Sequence, residues 1–237
     1  MIKIRHSEDR GHADHGWLNA RHSFSFAGYH DPEFMGFSNL VVLNQDRIAP
    51  GQGFGTHGHR DMEIVTVVLE GVLEHRDNMG NGSRIHPGEV QFMSAGSGVT
   101  HSEFNGSETE ELHLLQMWVR PDREGTAPRY GEAVCPESER RGRLCLVASP
   151  TKESGYLVIG GDAHLYLGLL DGEESCSFEL PERRAAWVHV ACGELTLNGQ
   201  RLGPGDGAAV HGEPNLVFEQ GSGAEFLLWD LPEASTQ

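Results

Sequence analysis

Residues 51–71 read GQGFGTHGHRDMEIVTVVLEG and residues 94–105 read SAGSGVTHSEFN. The first stretch sets His57 and His59 two residues apart, between a glycine-rich approach and a β-branched run. The second sets His101 and Glu103 two residues apart behind a similar turn. On a strand, side chains at i and i+2 point to one face, about 6.5–7 Å apart. Two such pairs on neighbouring strands bring three imidazoles and a carboxylate towards one point, a donor set suited to a divalent transition metal ion. Glu63 shares parity with His57 and His59, so spacing alone leaves Glu63 and Glu103 equal candidates for the acidic ligand.

The surrounding sequence is strand-like. Leu40–Asn44 reads as a buried strand, and Met62–Glu70 is apolar on both faces, as in a strand covered on both sides. Val72–Arg76, Val90–Met93 and Leu112–Val119 follow, with Asp77–Gly82 as a hairpin loop. Upstream, His22–Phe26 alternates like a half-buried strand, within a segment (residues 1–40) expected to lie as an arm over one sheet. From Arg120 to Arg143 the composition turns polar, charged and rich in Pro and Gly, as in a linker or strap. Strand patterns resume at Leu144–Val147, His164–Leu170, Trp187–Ala191, Leu195–Leu197, Gly207–Val210 and Phe226–Trp229, and Asn198-Gly199 is a type I′ hairpin signal. Short strands with regular turns and no convincing helix indicate an all-β sandwich or barrel architecture.

VVLEGVLEHRD with HPGEVQFMSAG in the first half has a weak counterpart in VHVACGELTLNG with LGPGDGAAVHG in the second. That copy has no HxH pair, so a second barrel without metal is expected. The division expected is residues 1–125 as a metal-binding domain, 126–143 as a linker and 144–237 as a degenerate copy.

A net charge of −17 argues against direct nucleic-acid or anionic-lipid binding. The start, MIKIRHSEDR, lacks the apolar core of a secretory signal, and no run is long and apolar enough to span a bilayer. Cys135, Cys145, Cys176 and Cys192 are far apart and read as buried thiols. A cytoplasmic protein is expected.

Gly51, His57, His59, Glu63 and Gly71 match the first cupin motif, and Gly98, His101 and Asn105 match the second more loosely, with Gly96 where its usual proline stands. With HGWLNARHSFSFAGYHDPEFMGFSNL upstream, the first half resembles the pirin family of bicupins, and in particular its bacterial quercetin 2,3-dioxygenase-like members. The resemblance implies two cupin (jelly-roll) β-barrels in tandem and a metal held by His57, His59, His101 and Glu103, which leaves Glu63 as a hydrogen-bonding neighbour. Gly58 stands where many relatives have proline, which loosens the strand but removes no ligand.

The resemblance further implies one divalent transition metal ion, Fe(II) first and Mn, Co, Ni, Cu or Zn next, and a small aromatic, flavonol-like substrate with O2. Glu103 would be the catalytic base that takes the substrate hydroxyl proton. A monomer is expected, because one chain carries both barrels. The alternative is a non-catalytic, metal- or redox-sensing regulator acting through protein partners; a storage or structural cupin is a third reading. Phe24, Phe26, Phe92 and Trp118 are candidate pocket walls. His113 and Met117 are candidates for the barrel interior, with core packing the expected role of both, and His75 and His86 are expected to be solvated beside hairpins.

Overall fold

Runs of alternating or wholly apolar residues make nearly every segment extended. The computed structural model describes residues 1–152 and 156–233, so residues 153–155 and 234–237 of the expected second domain lie outside the description. In the first half the strands are β1 (Ile2–Arg5), β2 (Gly11–Asp14), β3 (Leu18–His22), β4 (Leu40–Ile48), β5 (Gly53–His59), β6 (Glu63–Glu70), β7 (Leu73–Asp77), β8 (Gly82–Ile85), β9 (Glu89–Ser94), β10 (Val99–Asn105), β11 (Leu112–Val119) and β12 (Arg129–Val134). A single helical turn, α1 (Glu137–Arg140), precedes β13 (Leu144–Ser149), β14 (Leu157–Val158), β15 (His164–Leu170), β16 (Cys176–Glu179), β17 (Arg184–Leu197), β18 (Gln200–Leu202), β19 (Gly207–His211) and β20 (Asn215–Pro232).

A seven-stranded sheet, ordered β12-β9-β6-β11-β4-β3-β2, faces a four-stranded sheet, ordered β5-β10-β7-β8. Leu18, Ile48, Val68 and Leu112 of the larger sheet pack against Leu73 and Ile85 of the smaller one, which makes the interior of the first barrel. The second half forms a nine-stranded sheet along β1-β19-β17-β20-β15-β13-β14, with β16 on β20 and β18 on β17. The long β17 and β20 pair with repeated register shifts, which bend them around a core of Val190, Leu195, Phe218 and Phe226. The architecture is the expected tandem of two jelly-roll barrels. Among the described residues no helix is long and apolar enough to cross a membrane.

The two barrels share a core. The outer face of the seven-stranded sheet presents Val65, Val67, Leu115 and Met117 to Val147, Leu165, Trp187 and Trp229 of the second half. Trp229 Nε1 donates to Met117 Sδ at 3.2 Å across this boundary. β6 is therefore buried on both faces, as its sequence indicates.

Leu112–Val119 and His164–Leu170 are strands with the expected bounds, and Asn198-Gly199 turns with φ of 48° and 75° between paired Leu197 and Gln200. Three expectations are corrected. The strand expected at 22–26 ends at His22, because Phe26 and Tyr29 close a tight turn by exchanging backbone hydrogen bonds of 3.0 and 2.9 Å. Residues 126–143 are not a plain linker, since β12 adds an edge to the first half's sheet along β9. Residues 1–40 do more than lie over a sheet, since β1 joins the second half's sheet along β19 while β2 and β3 extend the first.

Candidate metal centre

β10 lies between β5 and β7 in the smaller sheet, with His101 opposite His57 on one side and Glu103 opposite His75 on the other. The β5–β10 register shifts between His101 and Glu103, and Gly53 sits opposite Phe104 at that shift. A Cβ on Gly53 would stand 2.2 Å from the Glu103 carbonyl oxygen, so only glycine lets β5 close on β10 there.

The imidazoles of His57, His59 and His101 converge, with ring centroids 4.4 Å apart for His57–His101 and 4.9 Å for the other two pairs. One ring nitrogen from each lies within 4.8 Å of the other two. Hydrogen bonds set the tautomers of two rings. His57 Nδ1 donates to the Gly55 carbonyl at 2.8 Å, which leaves Nε2 with its lone pair. His75 Nε2 lies 3.4 Å from the Asp77 carboxylate, an acceptor, and so donates; its Nδ1 then accepts from His101 Nδ1 at 3.4 Å. The proton on His101 is thus at Nδ1, and its Nε2 is a buried lone pair with no hydrogen-bond partner among the described residues. Such an orphaned, electron-donating nitrogen costs free energy unless a cation or donor meets it. Burial and the neighbouring His57 lower His59 to about 4, and burial with His57, His59 and His75 lowers His101 to about 3. Both rings are therefore neutral near pH 7, the state that binds a metal.

Glu103 is buried beside this cluster, but the geometry groups its carboxylate with His75 and His101 rather than with all three expected ligands. Its Oε2 accepts from Gln116 Nε2 at 2.9 Å, and burial raises its carboxyl above the usual range despite that bond and the nearby His75 and His57. Glu63 lies elsewhere. It shares the face of Val65 and Val67 that packs on the second half, where it accepts from Ser94 Oγ at 2.5 Å and from the Gly160 N–H at 2.7 Å. Its parity with His57 and His59 has no spatial meaning, because residues 60–62 carry the chain from one sheet to the other.

His75 is fully buried, contrary to the solvated position expected for it, while His86 is exposed. The available signal was its parity with Leu73, which fixes the inward face of β7. His113 and Met117 are buried, Met117 in the shared core as expected, but they face the second half and not the barrel interior; Gln116 and Trp118 alternate with them and point inward. Of the four candidate wall residues, Phe24 and Phe92 belong to the shared core. Trp118 lies 4.9 Å from His59, and Phe26 meets Trp118 edge-on at 5.4 Å. On the other side of Phe26 opens a cavity of about 630 Å³, lined by His12, Trp17, His22, Phe26, Tyr29 and Phe54. Phe54 also borders His57, at 6.4 Å between centroids, so the cavity adjoins the imidazole cluster.

Residues 3–119 match the family model described as Pirin, and residues 146–231 match the model described as Quercetinase C-terminal cupin domain. The chain is 46% identical over 98% of its length, and 99% of the other's, to quercetin 2,3-dioxygenase of Escherichia coli. It is 39% identical to a pirin-like protein of Caulobacter vibrioides, covering 97% of this chain and 99% of that one. The crystal structure of the bacterial pirin YhhW of Escherichia coli in complex with nickel(II) superposes with a TM-score of 0.92 at 45% identity, covering 99% of this chain and 100% of that one. Sequence kinship that runs the length of both barrels, with one family model on each, makes this chain a member of the pirin family of bicupins.

Proposed function

We propose that the chain is a metal-dependent dioxygenase that opens the central ring of a flavonol such as quercetin with O2 and releases carbon monoxide. The observation that carries this reading is the convergence of three histidines, with the unpartnered His101 Nε2, beside an aromatic-walled cavity. Relatives named quercetin 2,3-dioxygenase support it.

A divalent transition metal ion would be held by His57, His59 and His101, with Glu103 as the acidic ligand; Fe(II) is our assignment for the working ion, and Mn, Co, Ni, Cu and Zn are compatible with the same donors. When bound, the ion supplies Lewis acidity towards a substrate hydroxyl and a path for electrons between substrate and O2. The rest is done by side chains. Glu103, whose carboxyl is raised by burial, takes the proton of the flavonol 3-hydroxyl. Gln116 holds Glu103 Oε2, so the other oxygen, Oε1, is the one offered to that proton. Trp118, Phe26 and Phe54 present ring faces and edges to a flat substrate and keep water from the cluster. The two working domains are built mainly from residues 1–125 and 144–237, with β12 added to the first and β1 to the second; the first carries the chemistry, and the unit is one chain acting in the cytoplasm.

The test is aerobic turnover of quercetin, followed by loss of its visible absorbance and release of carbon monoxide, with protein stripped and reloaded with each metal. Wild-type protein should turn over with at least one metal. His101→Ala should abolish both binding and turnover, and Glu103→Gln should lower kcat by about 10²–10⁴-fold. Absence of turnover in protein holding one equivalent of each metal would move the reading to a regulator with protein partners.

A further inference from the structure

The seven-stranded sheet carries a second cluster of polar groups, on the face turned away from the imidazoles and towards the second half. β3, β4 and β11 run side by side there, so Asn19, Arg47 and His113 form one cross-strand row and Arg21 and Gln45 part of the next. With Ser7 and Arg10, Ala191–Gly193 of β17 and the Pro204-Gly205 turn, these residues line a cavity of about 460 Å³ between the barrels. The chain has 35 acidic and 18 basic residues, yet this cavity is lined by three arginines and a histidine and by no carboxylate.

The hydrogen bonds around Gln45 show which groups are left to bind something. Its Oε1 accepts from Arg10 Nη1 and from His189 Nε2, both at 3.2 Å, and its Nε2 donates to the Ala191 carbonyl at 3.0 Å and to His113 Nε2 at 2.9 Å. His113 must then carry its proton on Nδ1. That N–H is buried with no hydrogen-bond acceptor among the described residues, the Glu70 carboxylate standing off at 4.0 Å; the Nε–H of Arg10 is likewise unmet, and both side chains are more than nine-tenths buried. Arg10 also donates to the carbonyls of Gly205 and Arg21. Arg47 is held by Glu70 and Glu111 through Nη1. The Arg21 guanidinium has no hydrogen bond or ion pair among the described residues, and its charge repels that of Arg10.

We infer that this cavity is a binding site for a small oxyanion, the phosphate or carboxylate group of a small molecule, gripped by Arg21, Arg10 and His113 at the junction of the two barrels. An anion there gives acceptors to the orphaned donors and relieves the repulsion between Arg10 and Arg21. It also touches segments from both halves, so it links them. The site lies on the opposite face of the sheet from the imidazole cluster, so it does not depend on the metal.

The experiment is isothermal titration of the metal-loaded protein with inorganic phosphate and, separately, with succinate, at constant ionic strength in chloride, alongside thermal melts. Saturable one-to-one binding of one probe, with a rise in Tm, is expected; the probe that saturates names the class. Arg21→Gln removes a half-buried charge with no partner, so it should fold as wild type and weaken that binding at least tenfold, and Arg47→Gln should weaken it less. The inference is overturned if neither probe saturates, or if Arg21→Gln and Arg47→Gln both bind as tightly as wild type.

Discussion

His75 holds no position in the HxH or HxE pairs, yet it decides how one of them is presented. By accepting from His101 Nδ1 and donating to Asp77, it fixes the tautomer that exposes His101 Nε2. Replacing it with leucine, which fills the space but not the hydrogen bonds, should weaken metal binding by about 10–100-fold while leaving the stoichiometry at one. Competition against a chelator of known affinity measures this, and an unchanged affinity would reduce His75 to a space filler. At this scale the sequence was legible where spacing repeats: His57, His59 and His101 announce themselves by alternation and do meet. The carboxylates were less so, because Glu63 and Glu103 look alike until it is known which sheet each strand joins. His75 was misjudged because a lone histidine near a hairpin is usually wet, and only its strand partner, β10, buries it.

Among the elements, the closure of β5 on β10 controls whether the two histidine pairs meet at all. Gly53→Ala puts a methyl group 2.2 Å from the Glu103 carbonyl and 2.5 Å from Phe104 Cα, backbone atoms that cannot swing aside. Stability should fall by about 1–3 kcal/mol and metal affinity with it. Gly58→Ala, on the same strand, meets nothing closer than 3.6 Å and has no positive φ. It should leave binding intact and raise stability by about 0.4–1 kcal/mol through the unfolded chain. Thermal melts and metal titrations of the two variants should diverge; a shared outcome would remove β5 closure as the controlling feature. Strand positions were read well from patterning, since β6, β11 and β15 lie where their apolar runs do. What patterning could not give was sheet membership. The 22–26 alternation is cut by a turn that depends on Tyr29, and β12 became a strand only because β9 offered an open edge.

Over the whole molecule, the halves are two by sequence but joined by one core. Trp187 of the second barrel packs on Phe24 and Phe37 of the first, at 4.8 and 5.5 Å between centroids. Trp187→Ala should cost about 3–5 kcal/mol and shift a single unfolding transition. Calorimetry that resolved two transitions, only one of them moved, would contradict a joint core. Acid should also loosen the metal-free protein. Burial depresses His101 to about 3 and His59 and His113 to about 4, and pushes His189 well down, from an ordinary value of 6.5. Below pH 6.5 the unfolded chain therefore binds more protons than the folded one, and stability present above that pH is lost as pH falls towards 4. Asp46, raised by burial to about 7 despite the attraction of Arg10, acts in the opposite sense, as do Glu103 and Asp230, which burial also raises; these favour the folded state on the acid side and offset part of the four histidines. Urea midpoints of metal-free protein should drop between pH 7.5 and pH 5, and a midpoint that held steady or rose would reject this balance.

The first strand has a consequence of a different kind. β1 finds its partner in β19, Ile2 against Val210 and Arg5 against Gly207. On a ribosome, β1 emerges well before its partner and must wait for about 200 further residues, on the order of 10–40 s of synthesis, before that partner exists. During that interval the first barrel can close without it, and the waiting segment is an open strand edge in a crowded cell. Lys3 and Arg5 alternate with its two isoleucines, and such charges discourage pairing with a stranger. Completing the second barrel's sheet then draws back a strand made about 200 residues earlier.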